Sequence, residues 1–231
     1  MKFVRLFAIL TMLSIGAYQS MGAAPTAFPE TIEGKIPTPA VVRIFALDDK
    51  TESRSSGTGT LVSPVYVVTA AHVVGEKGSA VEVLFHPSWD VVTGKVIELS
   101  RTEGDKGYDV ALIQLDKPRS ETPMPLGTKA TLGGLSIRGY SHGPYTEQTG
   151  TYFTLDTTSR WGLIRGAQAR NGDSGGPVVQ NGKLVGILWG SIPDQTWFTP
   201  IEHVYKVLPQ LGKEPPKKED DAKTAPRQYS L

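Results

Sequence analysis

The sequence predicts an all-β chain, folded as two small barrels or one sandwich, with a helix near its C-terminal end. Three observations carry that expectation. About a dozen short segments rich in β-branched residues recur between clusters of turn formers. The 25 glycines and 17 prolines exceed average usage for 231 residues, as many tight turns require. Only one late stretch repeats its apolar residues at helical spacing.

The first series of strands reads "AVVRIFAL" (40–47), "SGTGTLVS" (56–63), "VYVVTAAHVV" (65–74), "AVEVLFH" (80–86), "VVTGKVIELS" (91–100) and "DVALIQL" (109–115). Turn clusters such as "LDDKTESRSS" and "RTEGDKGY" separate them. Within the third, "TAAHVVG" allows a single helical turn. A proline-rich bridge, "DKPRSETPMPLGT" (116–128), then joins two half-domains. The second series is "LSIRGY", "GTYFTLDTT", "GLIRGAQA", "GPVVQ", "KLVGILWG" and "QTWFTP". Ile201, Val204, Tyr205, Leu208 and Leu211 follow at spacings of three and four, so a C-terminal helix is expected to pack on the second unit. The corresponding division is a first barrel over 40–118, a linker over 119–128, and a second barrel with its helix over 129–211.

The ends of the chain read differently. Lys2 and Arg5 precede an uncharged, mostly apolar run from Leu6 to Gly16, and "SMGA" supplies small residues for cleavage after Ala23. That is the layout of a secretory signal, 1–23, and the run is short of the roughly 20 residues a spanning helix needs. An exported, extracytoplasmic product without a stable membrane span is expected. Residues 24–39 form a proline-rich leader or propeptide, and 212–231 a charged, proline-containing tail too poor in apolar groups to fold by itself.

Composition narrows the chemistry. The chain has no cysteine, which removes thiol nucleophiles, disulfides and cysteine-ligated metals. Its four histidines, His72, His86, His142 and His203, show no metal-ligand spacing, so neither a metal nor a cofactor is expected. A formal net charge of +1 gives no electrostatic case for a nucleic-acid partner.

Three sites then stand out. His72 ends an apolar strand in "VVTAAHVV", Asp109 heads another in "GYDVALIQL", and Ser174 sits among glycines in "NGDSGGPVV". Singly these read as a core histidine, a strand-start turn and a β-turn. Together they have a chemical logic. A serine hydroxyl is a weak nucleophile until a base lies within hydrogen-bond reach. Histidine is that base at neutral pH, and an aspartate on its other ring nitrogen fixes the tautomer. Gly172 and the turn behind it free backbone N–H groups for a developing oxyanion.

With "TAAH", "DVAL" and "GDSGGP" in that order, the chain resembles the chymotrypsin-like, trypsin-fold serine peptidases from about Ala40 to Leu211. The resemblance implies two six-stranded antiparallel β-barrels with a C-terminal α-helix and a catalytic cleft between the halves. It implies His72 as general base and then acid, Asp109 as its orienting partner, and Ser174 as the acyl-forming nucleophile. The N–H groups of Gly172 and Ser174 would form the oxyanion hole. Leu188, Trp189 and Gly190 would line a channel that pairs with an extended polypeptide by strand addition.

Departures from the family refine this. Animal digestive members carry disulfides, whereas "PAVVRIF" and "AAHVVG" look closer to bacterial, phage or viral members, including the HtrA-like group. HtrA proteins usually add a PDZ domain and carry Gly-Asn-Ser where this chain has "GDSGGP", so a stand-alone peptidase is expected. The position that selects basic side chains is Gln168, which lacks the acid a trypsin-like pocket uses, so an uncharged P1 residue is expected. Gly190 leaves the pocket wall open, and Thr196 is expected to face inward. Asp173 is either a fixed strut or, after cleavage between Lys35 and Ile36, the partner of a new N-terminal amine. His86 and His142 read as loop residues, His203 as structural, and Trp89, Trp161 and Trp197 as packing residues. Two other functional classes share the fold: a catalytically silent binding module, and a viral or phage polyprotein-processing protease.

Overall fold

The computed structural model describes residues 38–48, 53–102, 107–153, 160–208 and 211. The expected signal, most of the leader, the Lys35–Ile36 bond and the charged tail lie outside the described residues. Twelve strands form two closed six-stranded barrels, which resolves the choice between barrels and a sandwich. The first contains β1 (Val41–Asp48), β2 (Ser53–Ser63), β3 (Tyr66–Thr69), β4 (Ala80–Phe85), β5 (Asp90–Ser100) and β6 (Val110–Leu115), in the order β1-β2-β3-β6-β5-β4. The second contains β7 (Gly133–Gly139), β8 (Thr146–Phe153), β9 (Gly162–Arg165), β10 (Pro177–Gln180), β11 (Lys183–Ile192) and β12 (Gln195–Pro200), in the order β10-β11-β12-β9-β8-β7. Closure leaves neither sheet an open edge of unpaired backbone.

Alternation explains the strands that line a single barrel. In β4, Val81, Val83 and Phe85 are buried while Ala80 and Glu82 face water. Strand β6 departs from that pattern, because Val110 through Ile113 are buried in succession. One continuous apolar cluster explains this. It runs from the first barrel into Leu184 and Ile187 of β11 and on to Ile201, Val204 and Leu208.

The helix α1 (Ile201–Val207) packs on the second unit as expected and reaches the first as well. It touches β5 as well as β11 and β12, and its apolar stripe belongs to the cluster of the first barrel. It is also shorter than the spacing suggested. Pro209 follows Leu208, whose backbone has already left the helical region at φ −123° and ψ 65°, as a residue before proline favours. The bridge between barrels is tied down rather than loose. Arg119 N donates to Pro64 O, Met124 N to Leu61 O and Gly127 N to Leu184 O.

The second core is built around Phe198 of β12, which is fully buried. A Cβ at either Gly162 or Gly186 would stand 2.2 Å from its ring carbons, so the two bare positions form the slot the ring occupies. Phe198→Ala empties that slot. It is expected to lower unfolding stability by roughly 3–5 kcal/mol, measured by urea denaturation, because backbone on both faces prevents collapse into the void.

Candidate active site

The short strand β3 ends at Thr69, and a single 3-10 turn, Ala71–Val73, carries the chain away. That turn presents His72 while burying Ala71 and Val73 on either side. The imidazole is about half exposed, whereas the Asp109 side chain is only 8% exposed. Asp109 grips the histidine twice. Its Oδ1 accepts the His72 backbone N–H at 2.9 Å, and its Oδ2 lies 2.6 Å from Nδ1.

Asp109 sits in the left-handed region at φ 47°, a conformation aspartate tolerates at some cost. Neighbouring contacts hold it there. Tyr108 N donates to Ser100 Oγ at 3.2 Å, and Thr199 Oγ1 of the second barrel donates to Tyr108 O at 2.5 Å. The Tyr108 ring stacks on His203 at 4.6 Å, which gives His203 its structural role.

Ser174 lies on the turn between β9 and β10. Gly172 there has φ +99°, and a Cβ on it would come within 2.4 Å of Tyr140 O, so only glycine fits. Three main-chain bonds shape the turn: Asp173 N to Arg170 O, Gly176 N to Asp173 O, and His142 N to Asn171 O. Among the described residues, neither the Gly172 nor the Ser174 N–H donates to a backbone carbonyl. The turn docks on the first barrel beside the histidine. A Cβ built on Gly57 would stand 2.7 Å from the Val73 methyls and 2.9 Å from Ser174 O.

Asp173 is 1% exposed and does not face solvent. Its Oδ2 accepts from Ser141 Oγ at 2.6 Å and from Arg170 N at 2.9 Å, and its Oδ1 from Thr146 Oγ1 at 3.4 Å. Burial raises its pKa above the usual carboxylate range, and these donors oppose that shift. Among the described residues its hydrogen-bond donors are two hydroxyls and a backbone N–H, all within the second barrel, the arrangement expected of a strut.

The expected substrate-lining residues divide. Gln168 is half-buried, and the Gln148 amide pins its backbone, donating to Gln168 O at 2.8 Å and accepting from Gln168 N at 3.0 Å. Gly190 is open, with Trp197 Cε3 at 4.0 Å as the nearest atom to a Cβ placed there. Trp189 packs between Trp161 and Trp197, with ring centroids 4.6 Å and 5.7 Å away.

Two positions are corrected. Leu188 is wholly buried, so its side chain lines no channel, and its backbone serves the serine turn, its carbonyl accepting from Gly175 N and its N–H donating to Gly176 O. Thr196 does face inward but is also fully buried. Its Oγ1 donates to Ala167 O at 2.8 Å and accepts from Ala169 N at 2.9 Å, bracing the Gln168 segment from beneath. Ser191 Oγ braces the same segment through Ala169 O at 2.7 Å. His86 is likewise not a surface loop residue. It is 8% exposed and stacks on Tyr140 at 4.9 Å, with burial and nearby Arg43 lowering its pKa. His142 is exposed in a loop, as expected.

The profile of the trypsin-like peptidase domain matches residues 57–187, a span that includes His72, Asp109 and Ser174. The chain belongs to this family. Trypsin-like peptidases are serine endopeptidases, hydrolases of peptide bonds, and the similar proteins that follow are named as proteases. A serine protease of Mycobacterium tuberculosis, Rv3671c, is 29% identical over 196 residues, covering 76% of this chain and 46% of its own. The human peroxisomal leader peptide-processing protease is 26% identical over 172 residues, covering 66% of this chain and 29% of its own. This chain thus spans less than half the length of either relative. The crystal structure of the active form of the Rv3671c protease superposes with a TM-score of 0.61 at 24% identity, covering 78% of this chain and 83% of that one. That likeness establishes the chymotrypsin-like double barrel.

Proposed function

We propose that this member of the family is an exported endopeptidase that cleaves extended polypeptides through an acyl-enzyme formed on Ser174. His72, its ring fixed by Asp109, removes the Ser174 proton as Oγ attacks the scissile carbonyl. The same proton passes to the leaving amine as the tetrahedral intermediate collapses. His72 then activates water, which releases the acyl group and restores the serine. The N–H groups of Gly172 and Ser174 stabilise the oxyanion, each such donor being worth roughly 2.7–4 kcal/mol in the transition state. The observation that carries this reading is the double grip of Asp109 on His72, placed beside a turn that only glycine at 172 permits. It supports catalysis over a silent binding module, for which a strained, buried aspartate has no use.

A fluorophosphonate probe tests the nucleophile without any substitution. Mass spectrometry of the labelled, folded protein is expected to locate one adduct, on Ser174. A folded protein that takes up no probe would return the chain to the silent class.

Export is supported by the basic residues Lys2 and Arg5, the apolar run to Gly16 and the small residues before Ala23. The extracytoplasmic product is expected to begin at Ala24. For the P1 side chain, Gln168 offers no charge to neutralise lysine or arginine, and an uncharged residue fits better. A peptide library varied at P1 is expected to be cut after uncharged residues. Preference for arginine or lysine would overturn that assignment.

A further inference from the structure

Thr58 lies in β2 of the first barrel and is fully buried, yet most of its hydrogen bonds serve the second. Its Oγ1 donates to Gly172 O at 2.7 Å and accepts from Tyr140 N at 3.0 Å. Its backbone N–H donates to Ser174 O at 2.8 Å. Its own carbonyl, within the first barrel, accepts from Thr69 Oγ1 at 2.7 Å. A hydroxyl has a single proton, and Tyr140 N–H occupies one of its acceptor sites, so the proton is directed at Gly172 O.

We infer that the Thr58 hydroxyl is a positioning group for the reaction, holding the Gly172–Ser174 turn in its oxyanion-stabilising form from across the barrel interface. This rests on the acyl-enzyme reading of Ser174 given above.

The carbonyls on both sides of Asp173 end on this one residue, Gly172 O on its side chain and Ser174 O on its main chain. Fixing a carbonyl fixes its peptide plane, so Thr58 holds the planes of Asp173 N–H and Gly175 N–H. These alternate with the two oxyanion-facing planes, those held by His142 N on Asn171 O and by Gly176 N on Asp173 O. With Asp173 N also held by Arg170 O, losing the Thr58 bond to Gly172 O frees the plane between the two that carry the Gly172 and Ser174 N–H groups. The same residue is one of several that dock the barrels, and the one whose side chain reaches the serine turn. His72 and Asp109 come from the first barrel and Ser174 from the second, so a bond from β2 to Gly172 aligns the two halves of the site. Preorganised donors act where charge develops, and a shift of about 1 Å in such a group can lower the rate on the order of 100-fold.

The test compares Thr58→Val, Thr58→Ala and Thr58→Ser in the full chain, with kcat and KM for a chromogenic peptide and the inhibition constant of a peptide boronic acid. The boronate mimics the tetrahedral intermediate, so its affinity reads the oxyanion site directly. Thr58→Val keeps the shape and removes the hydroxyl. It is expected to lower kcat roughly 10- to 100-fold with little change in KM, and to weaken the boronate by a similar factor. Thermal unfolding checks that the variant folds. If it does not, Thr58→Ala and Thr58→Ser decide the matter, since both lack the methyl and only serine keeps the hydroxyl. Serine is then expected to recover most of the activity that alanine loses.

Equal kcat in the serine and alanine variants, or a boronate constant indifferent to the hydroxyl, would overturn the inference while leaving a probe-labelled Ser174 in place. Failure of the wild-type protein to label at Ser174 would remove the reading beneath it and the inference with it.

Discussion

Ser174→Ala is expected to lower kcat for peptide hydrolysis by about 10⁶ and to abolish fluorophosphonate labelling, while the unfolding transition stays where it was. Stability is spared because the turn does not depend on the hydroxyl. Ser174 holds its place through its carbonyl, which accepts from Thr58 N, and alanine keeps that bond. The rate is lost because no other group on the turn can attack a carbonyl carbon. Asp173 is buried beneath three donors, and the glycines offer only amides. His72→Ala should cost nearly as much, and the double variant little more than either single one, because a base without its nucleophile has no proton to take. A Ser174→Ala variant that kept even one-hundredth of wild-type kcat would place the nucleophile elsewhere.

What could be read in advance follows from how local each signal is. The strands of the first barrel are legible because Val, Ile and Phe alternate along segments such as Val81–Phe85 and the turns between them are polar. His72, Asp109 and Ser174 are legible because each lies in its own short motif and their order along the chain is itself a signal. The residues that hold them are not. Thr58, Ser141 and Thr146 look like ordinary strand or loop residues; closure of the second barrel aims the latter two at the turn, and the packing of the first barrel on it aims Thr58.

The motif that carries Leu188 is silent on its burial, which comes from pairing with Phe198 in the second core, while Thr196 faces inward as expected but is sealed beneath the Gln168 segment. His86 departs from expectation in the same direction. "FHPSW" has a turn composition, yet stacking on Tyr140 buries the ring. The helix and its packing on the second barrel are legible, but spacing along one segment does not reveal its added contact with β5 of the first.

Asp109→Asn is expected to lower kcat by about 10⁴ with the fold intact, and the two hydrogen bonds to His72 show why. Asparagine accepts the left-handed backbone at φ 47° as readily as aspartate does, so the strand start should survive. The carboxylate accepts at both oxygens, from the His72 backbone N–H and from the ring at Nδ1. An amide has one oxygen and one NH2 group. If the oxygen stays on the backbone N–H, the NH2 faces Nδ1, and the ring can be satisfied only by moving its proton to Nε2. That is the nitrogen that must accept the Ser174 proton, so the base is blocked. If the amide turns over, its NH2 meets the backbone N–H and two donors face each other in a buried position, which is costly. The first arrangement wins, and the histidine is trapped in the wrong tautomer. Proton NMR checks this independently of activity: the resonance of a proton held between Nδ1 and Asp109 is expected in the wild-type protein and absent from the variant. Retention of both that resonance and the rate would mean that Asp109 neither sets the tautomer nor orients the base.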